Sequence, residues 1–132
     1  MKKTIIISVC VGIAALLAIL LFVVILPNSN YEEVRTMEIN NVDLVRLEDG
    51  IYHGDYAYSQ TNYQVDVEIR DHKIADVQII SGGTSDFAKS AQGVIDSMIE
   101  EQRIDVDVVS GATTSSKAIM KAVENALAGT NG

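Results

Sequence analysis

The sequence predicts a small α+β domain, an antiparallel sheet covered on one face by two helices, preceded by one N-terminal transmembrane helix. Three observations carry that expectation. Thr4 to Leu26 is apolar and free of charge. Between Ile51 and Ile80, three strand-like runs are joined by short polar links. Two later segments repeat apolar residues at helical spacing.

At about 1.5 Å per helical residue, the first run reaches across a hydrocarbon core of roughly 30 Å. Lys2 and Lys3 precede it and the next basic residue is Arg35. The positive-inside rule therefore puts the N-terminus in the cytoplasm and the remainder outside. A cleaved leader is the rival reading, but leader cores are normally about 7–15 residues and end at small residues. This run is longer, and Ile25-Leu26-Pro27-Asn28-Ser29 is a poor cleavage site. Residues 1–26 are thus expected to anchor the chain in the cell membrane. Cys10 follows Val9, where a lipoprotein signal wants a small residue, and reads as one more apolar side chain.

The exported part contains no cysteine, which excludes disulfides, thiolate nucleophiles and Cys-ligated metal or iron–sulfur sites there. The chain has 18 acidic and 10 basic residues. Two of the basic ones, Lys2 and Lys3, lie before the apolar run, so the exported part carries a formal −10. That argues against nucleic acid and against docking on an anionic lipid surface.

Residues 27–46 open with a polar stretch, PNSNYEEVRTMEIN, without clear period, and read as an extracytoplasmic tether. Val42, Leu44, Val45 and Leu47 form a short apolar patch expected to pack on the domain's edge. The domain proper is expected over 47–128. Asp49-Gly50 signals a turn, and Ile51–Tyr58 reads as a first strand. Ser59–Asn62 is a turn. Tyr63 to Ile69 alternates strictly, placing Tyr63, Val65, Val67 and Ile69 inward. Arg70–Lys73 is a tight polar turn, and Ile74–Ile80 a third strand. Two short links make the three strands an antiparallel meander.

Ser81-Gly82-Gly83-Thr84 breaks the pattern. From Ser85 to about Gln102, the residues Phe87, Ala91, Val94, Ile95, Met98 and Ile99 recur as one helical face, which Gly93 weakens without ending. Ile104–Val109 is short and β-rich. After a Ser110–Ser116 loop, Ala118, Ile119, Ala122, Val123, Ala126 and Leu127 stripe a final helix that frays at Gly129 and Gly132.

The most informative segment is Asp107-Val108-Val109-Ser110-Gly111-Ala112-Thr113. It puts a hydroxyl next to a helix start, where free backbone N–H groups and the dipole favour a phosphate. Gly111 and Ala112 leave the backbone approachable. Composition alone reads Ser110 to Ser116 as a Ser/Thr loop with a helix cap. The Gly-Lys-Ser/Thr of a phosphate loop is missing, and so is the G-x-S-x-G of a hydrolase elbow. His53 and His72 have no convergent ligands and read as edge histidines. Asp66, Glu68 and Asp76 fall on the outer strand face as solvated residues rather than a glycosidase pair. Tyr52, Tyr56, Tyr58 and Tyr63 read as packing, or as a stacking wall for a planar ligand.

Asp107-x-x-Ser110-Gly111-Ala112-Thr113 resembles the modification motif of FMN-binding domains, found in flavinylated subunits of sodium-pumping NADH:quinone oxidoreductase and of the Rnf complex. Asp49-Gly50-Ile51-Tyr52-His53-Gly54 resembles the family's D-G-x-Y-x-G opening, and Lys117-Ala118-Ile119 with Ala122-Val123 also fits. The similarity spans about residues 47–128. It implies covalent FMN on Thr113 as a phosphoester, with Ser110, Gly111, Ala112 and Thr114 around it. It also implies a flavin transferase that draws on FAD, releases AMP and reads Asp107, Gly111, Ala112 and Thr113. The family often has Asp-Gly-Lys between the second and third strands, where this chain has Asp71-His72-Lys73. The expected protein is an electron carrier without catalytic or metal-binding residues of its own. It would stand between a quinone- or NADH-linked membrane donor and an extracytoplasmic acceptor. A non-redox accessory or assembly subunit is the alternative, and a reductase fragment a third.

Overall fold

The structure is a computed structural model and describes residues 1–25 and 29–129. Leu26-Pro27-Asn28, in the stretch judged a poor leader cleavage site, and Gly132 lie outside the described residues. The first helix, α1 (Lys2–Ile25), is long and apolar enough to cross a membrane over Lys2–Val24. Over Lys2–Val24 its side chains pack on nothing else in the protein, and a helix that is hydrophobic all round needs the apolar surroundings that lipid would supply.

The polar stretch that follows is not a plain tether. Ser29–Thr36 forms a helix, α2, which packs on the last helix of the domain and buries Val34. Ile39 is buried as well. Two apolar residues spaced five apart are too few to show a period in sequence, so this docking was illegible there. Leu44–Arg46 is a 3₁₀ turn started by Asp43, whose carboxylate accepts the Val45 N–H at 3.2 Å. Leu47 is buried, whereas Val45 points outward.

Strands β1 (Gly50–Tyr58), β2 (Thr61–Arg70) and β3 (Lys73–Ser81) form an antiparallel sheet in that order. Only Ser59 and Gln60 separate the first pair, a tighter turn than Ser59–Asn62. Between β2 and β3, Asp71 (φ 52°) and His72 (φ 60°) are both left-handed, which matches the strand twist in a two-residue hairpin. Asp49 holds this turn by accepting the Asp71 N–H at 2.8 Å. Tyr63, Val65, Val67 and Ile69 face the core as the alternation requires. In β3 the inward residues are Ile74, Val77 and, half-buried, Ile79. That jump from 74 to 77 is a bulge. Ile69 pairs with Ile74 and Glu68 with Asp76, so Ala75 has no opposite number and the phase resets.

The second apolar stripe is two helices rather than one: α3 (Asp86–Ala91), capped by Ser85, and α4 (Gly93–Glu101). At the junction the Gln92 N–H turns to Lys89 O at 3.2 Å, the i→i+3 spacing of a terminal turn. Gly93, about 1 kcal/mol worse than alanine in a helix, is where the axis re-aims. The break changes which residues face inward. Ala88 and Ala91 are buried on α3, and Phe87 is 67% exposed. The Ile104–Val109 run forms no strand. Asn41 Oδ1 accepts both the Ile104 and Asp105 N–H groups at 2.9 Å, which takes that backbone out of any ladder.

The last helix, α5 (Thr113–Ala128), starts at Thr113, inside the segment read as a loop. It lies against β1 and β2, while α4 covers β3, giving the expected two-layer α+β architecture. Glu124 on α5 is buried, yet satisfied by Lys121 Nζ at 2.9 Å, the Asn40 N–H at 3.1 Å and Asn40 Nδ2 at 3.4 Å. Burial by itself would raise its pKa. The Lys121 and Asn40 hydrogen bonds outweigh that and hold it below its ordinary 4.5. A depressed carboxylate stabilises the fold above its unfolded pKa and loses that contribution as pH falls through its folded value. Glu124→Gln is therefore expected to cost about 1–2 kcal/mol at pH 7. Urea titrations should show the gap to the parent protein closing as pH falls below 4.5. A gap that is constant with pH would reject the assignment.

Candidate functional site

The segment before α5 folds as a β-turn. The Ala112 N–H donates to Val109 O at 2.9 Å, and Gly111 takes φ +81° at the third turn position. That is the type II geometry, which demands a residue tolerant of positive φ. A Cβ built on Gly111 meets nothing within 4 Å, so the constraint is backbone strain and the space in front is open. Gly111→Ala is expected to lose about 1–2 kcal/mol of stability through that strain alone. Thermal unfolding checks it, and an unchanged midpoint would rule the turn type out.

Ala112 occupies the N-cap of α5 and no side chain caps the helix. Thr113, Thr114 and Ser115 are the first three helical residues, so their N–H groups have no acceptor within the helix. The expected Ser/Thr cap is therefore not formed. Ser116 has another role: its hydroxyl, fully buried, accepts the Val109 N–H at 3.1 Å and closes the turn. Ser115 accepts a hydrogen bond from the Tyr63 hydroxyl at 3.2 Å. Ser110 is exposed and its side chain bonds to nothing among the described residues, so the hydroxyl that holds the turn is that of Ser116.

Thr113 and Thr114 line a cavity of about 530 Å³, within the usual range of roughly 300–1,000 Å³ for small-molecule sites. Gly111, Ala112 and Ser115 complete its α5 side. The β1–β2 hairpin contributes Tyr58, Ser59, Gln60, Thr61 and Tyr63, and the α3 end contributes Ser85 and Phe87. Tyr31 and Arg35 come from α2. Asp107 and Ser110 are exposed and do not line it. Of the four tyrosines clustered in sequence, Tyr58 and Tyr63 reach the cavity. Tyr52 instead donates to Glu48 O at 2.7 Å, and Tyr56 sits elsewhere on β1.

The lining is aromatic and hydroxylic. Tyr31 stands edge-on to Tyr58, ring centroids 5.2 Å apart at 82°. The Tyr58 hydroxyl is buried, and its one polar neighbour among the described residues is the Tyr31 phenol, which lies outside good hydrogen-bond geometry. Burial raises its pKa, and the neighbouring Tyr31, Tyr63 and Tyr56 phenols add to this, so it remains a protonated donor. An uncapped helix start and flat aromatic walls together fit a planar ligand that carries an anionic group.

The other side chains considered in the sequence lie apart from the cavity. His53 contacts Asp66 on the outer sheet face, and His72 Nδ1 lies 2.9 Å from Leu47 O. Among the described residues, no three His, Cys, Asp or Glu side chains gather as a metal site. Tyr31, Arg35, Ser85 and Phe87 were not foreseen. Phe87 left one signal, a large apolar residue directly after the Ser-Asp start of a helix.

A family model described as the FMN-binding domain matches residues 58–128. No curated protein matches the chain. The match takes in the hairpin turn, the starts of α3, α4 and α5, and the whole Gly111–Ser115 wall of the cavity. This chain belongs to the FMN-binding domain family.

Proposed function

We propose that this protein is a membrane-anchored, extracytoplasmic electron carrier holding FMN covalently on Thr113. The observation that carries the reading is the position of Thr113: first residue of an uncapped helix, half-buried, and on the wall of the aromatic cavity. Its hydroxyl would form the bond to phosphorus as the pyrophosphate of FAD breaks. AMP would leave, and the threonine proton would pass to a base of a separate flavin transferase. Asp107 and Gly111 are exposed and open to another protein, Thr113 is half-buried, and Ala112, in the same recognition set, is buried. When bound, the flavin supplies the redox chemistry. The chain supplies position: N–H groups of the first α5 turn for the phosphate, Tyr58 and Tyr63 for the ring, and an open side for partners.

Covalent attachment suits an exported carrier. A cofactor held at micromolar affinity, about −8 kcal/mol, would be lost to dilution outside a cell. The chain also keeps the cavity near its anchor. Tyr31 lies six residues beyond Ile25, a reach of about 20 Å at most for extended chain. A membrane-linked donor, quinone- or NADH-dependent, is consistent with that bound.

The test is intact mass after co-expression with a flavin transferase. The expected result is a gain of one FMN less water. A chain that stays colourless and gains no mass beside an active transferase would overturn the reading in favour of an accessory or assembly subunit.

A further inference from the structure

The helix α2 lies outside the 58–128 segment matched by the family model, yet it forms one wall of the cavity through Tyr31 and Arg35. Arg35 is the only charged residue among the described residues that line the cavity. The surroundings make that notable, because the chain carries a formal −8. Arg46, Arg70 and Arg103 each pair with a carboxylate, of Asp43, Glu68 and Glu101 respectively. Arg35 has no carboxylate within ion-pair distance among the described residues, although Glu32 and Glu33 stand on the same helix. Its place is fixed from both sides. Val34 next to it is 3% exposed, docking α2 on the domain, and Tyr31 one turn earlier abuts Tyr58. An unpaired guanidinium and an uncapped helix N-terminus lining the same otherwise neutral cavity leave two attractions for an anion unsatisfied.

We infer that α2 is the phosphate-recognition arm of this cavity, with Arg35 pairing with the phosphate of the bound flavin. The inference rests on flavin being the occupant, and does not require the covalent bond. Arginine suits the task because its planar fork can engage two phosphate oxygens at once. Since Arg35 is exposed, its contribution is screened by salt.

The experiment uses the full-length chain in detergent, produced without a transferase, and follows quenching of FMN and riboflavin fluorescence. The two ligands share the ring and differ in the phosphate. The parent chain is expected to bind FMN about tenfold more tightly than riboflavin at low salt. Arg35→Gln should reduce that ratio at least about threefold, leaving only the share due to the α5 N-terminus, with riboflavin affinity unchanged. Arg35→Lys should keep part of it, and 1 M NaCl should erase most of it in the parent chain. No preference for FMN in the parent chain, or a preference undiminished in Arg35→Gln, would overturn the inference. The intact-mass measurement tests covalent attachment separately. A parent chain that gains no mass but still shows an Arg35-dependent preference would sink the covalent reading and leave this one standing.

Discussion

Thr113→Ala is expected to abolish the FMN mass gain completely, while Thr114→Ala and Ser110→Ala keep it and Thr113→Ser retains it in part. Ser116 is fully buried and already accepts the Val109 N–H. Ser115 is buried and engaged with Tyr63. Ser110 is exposed but outside the cavity. Thr113 and Thr114 remain, both half-buried on the wall, and the motif resemblance selects Thr113. Thr113 makes no side-chain hydrogen bond among the described residues, so its truncation should move stability by no more than about 0.5 kcal/mol. Loss of flavin in that variant would then report the missing oxygen rather than a missing fold. A Thr113→Ala chain that still gains FMN, or a Thr114→Ala chain that does not, would refute the assignment.

How much of this was legible beforehand depends on the range of the interaction. The sheet could be read because β2 alternates at every position, and the turn at Asp71-His72 because two strand patterns met across it. The β3 bulge left a trace, the jump from Ile74 to Val77, which marks a phase reset once the register is known. The Thr113 segment was legible because a motif is local by nature. What lay beyond the sequence was tertiary. Nothing local says that Ile39 joins the core, that α2 docks on α5, or that Arg35 and Tyr31 thereby reach a cavity formed some eighty residues later. The same holds for the α3–α4 break. One stripe of apolar residues fits a continuous helix as well as a broken one, and only the exposure of Phe87 separates the two. The missing cap has a related cause. Four hydroxyls at a helix start normally provide one, but here Ser115 and Ser116 turn to Tyr63 and Val109.

Gly54→Ala is expected to be the most destabilising single-methyl change in the domain. A Cβ at Gly54 would stand 2.3 Å from Ala122 O, 2.5 Å from Ala126 Cβ and 2.5 Å from Ala126 N. Two of those atoms are helix backbone and cannot rotate away, so α5 as a whole must lift from β1. Asn125 Nδ2 donates to Asp55 O at 2.8 Å and would be pulled with it. Overpacking a core costs about 1–3 kcal/mol when side chains can adjust, and a rigid backbone clash belongs at or above the top of that range. For a domain of this size roughly 3 kcal/mol lowers the melting temperature by about 12–24 °C. His53→Ala, next in the strand but facing solvent, should stay within about 0.5 kcal/mol of the parent. The comparison also bears on the site, since Ala122 and Ala126 belong to the helix whose first residue is Thr113. If the transferase needs the turn and helix start in place, FMN loading of Gly54→Ala should fall with its folded fraction and recover on cooling. A melting temperature within a degree or two of the parent would show that α5 is not seated on Gly54 as described.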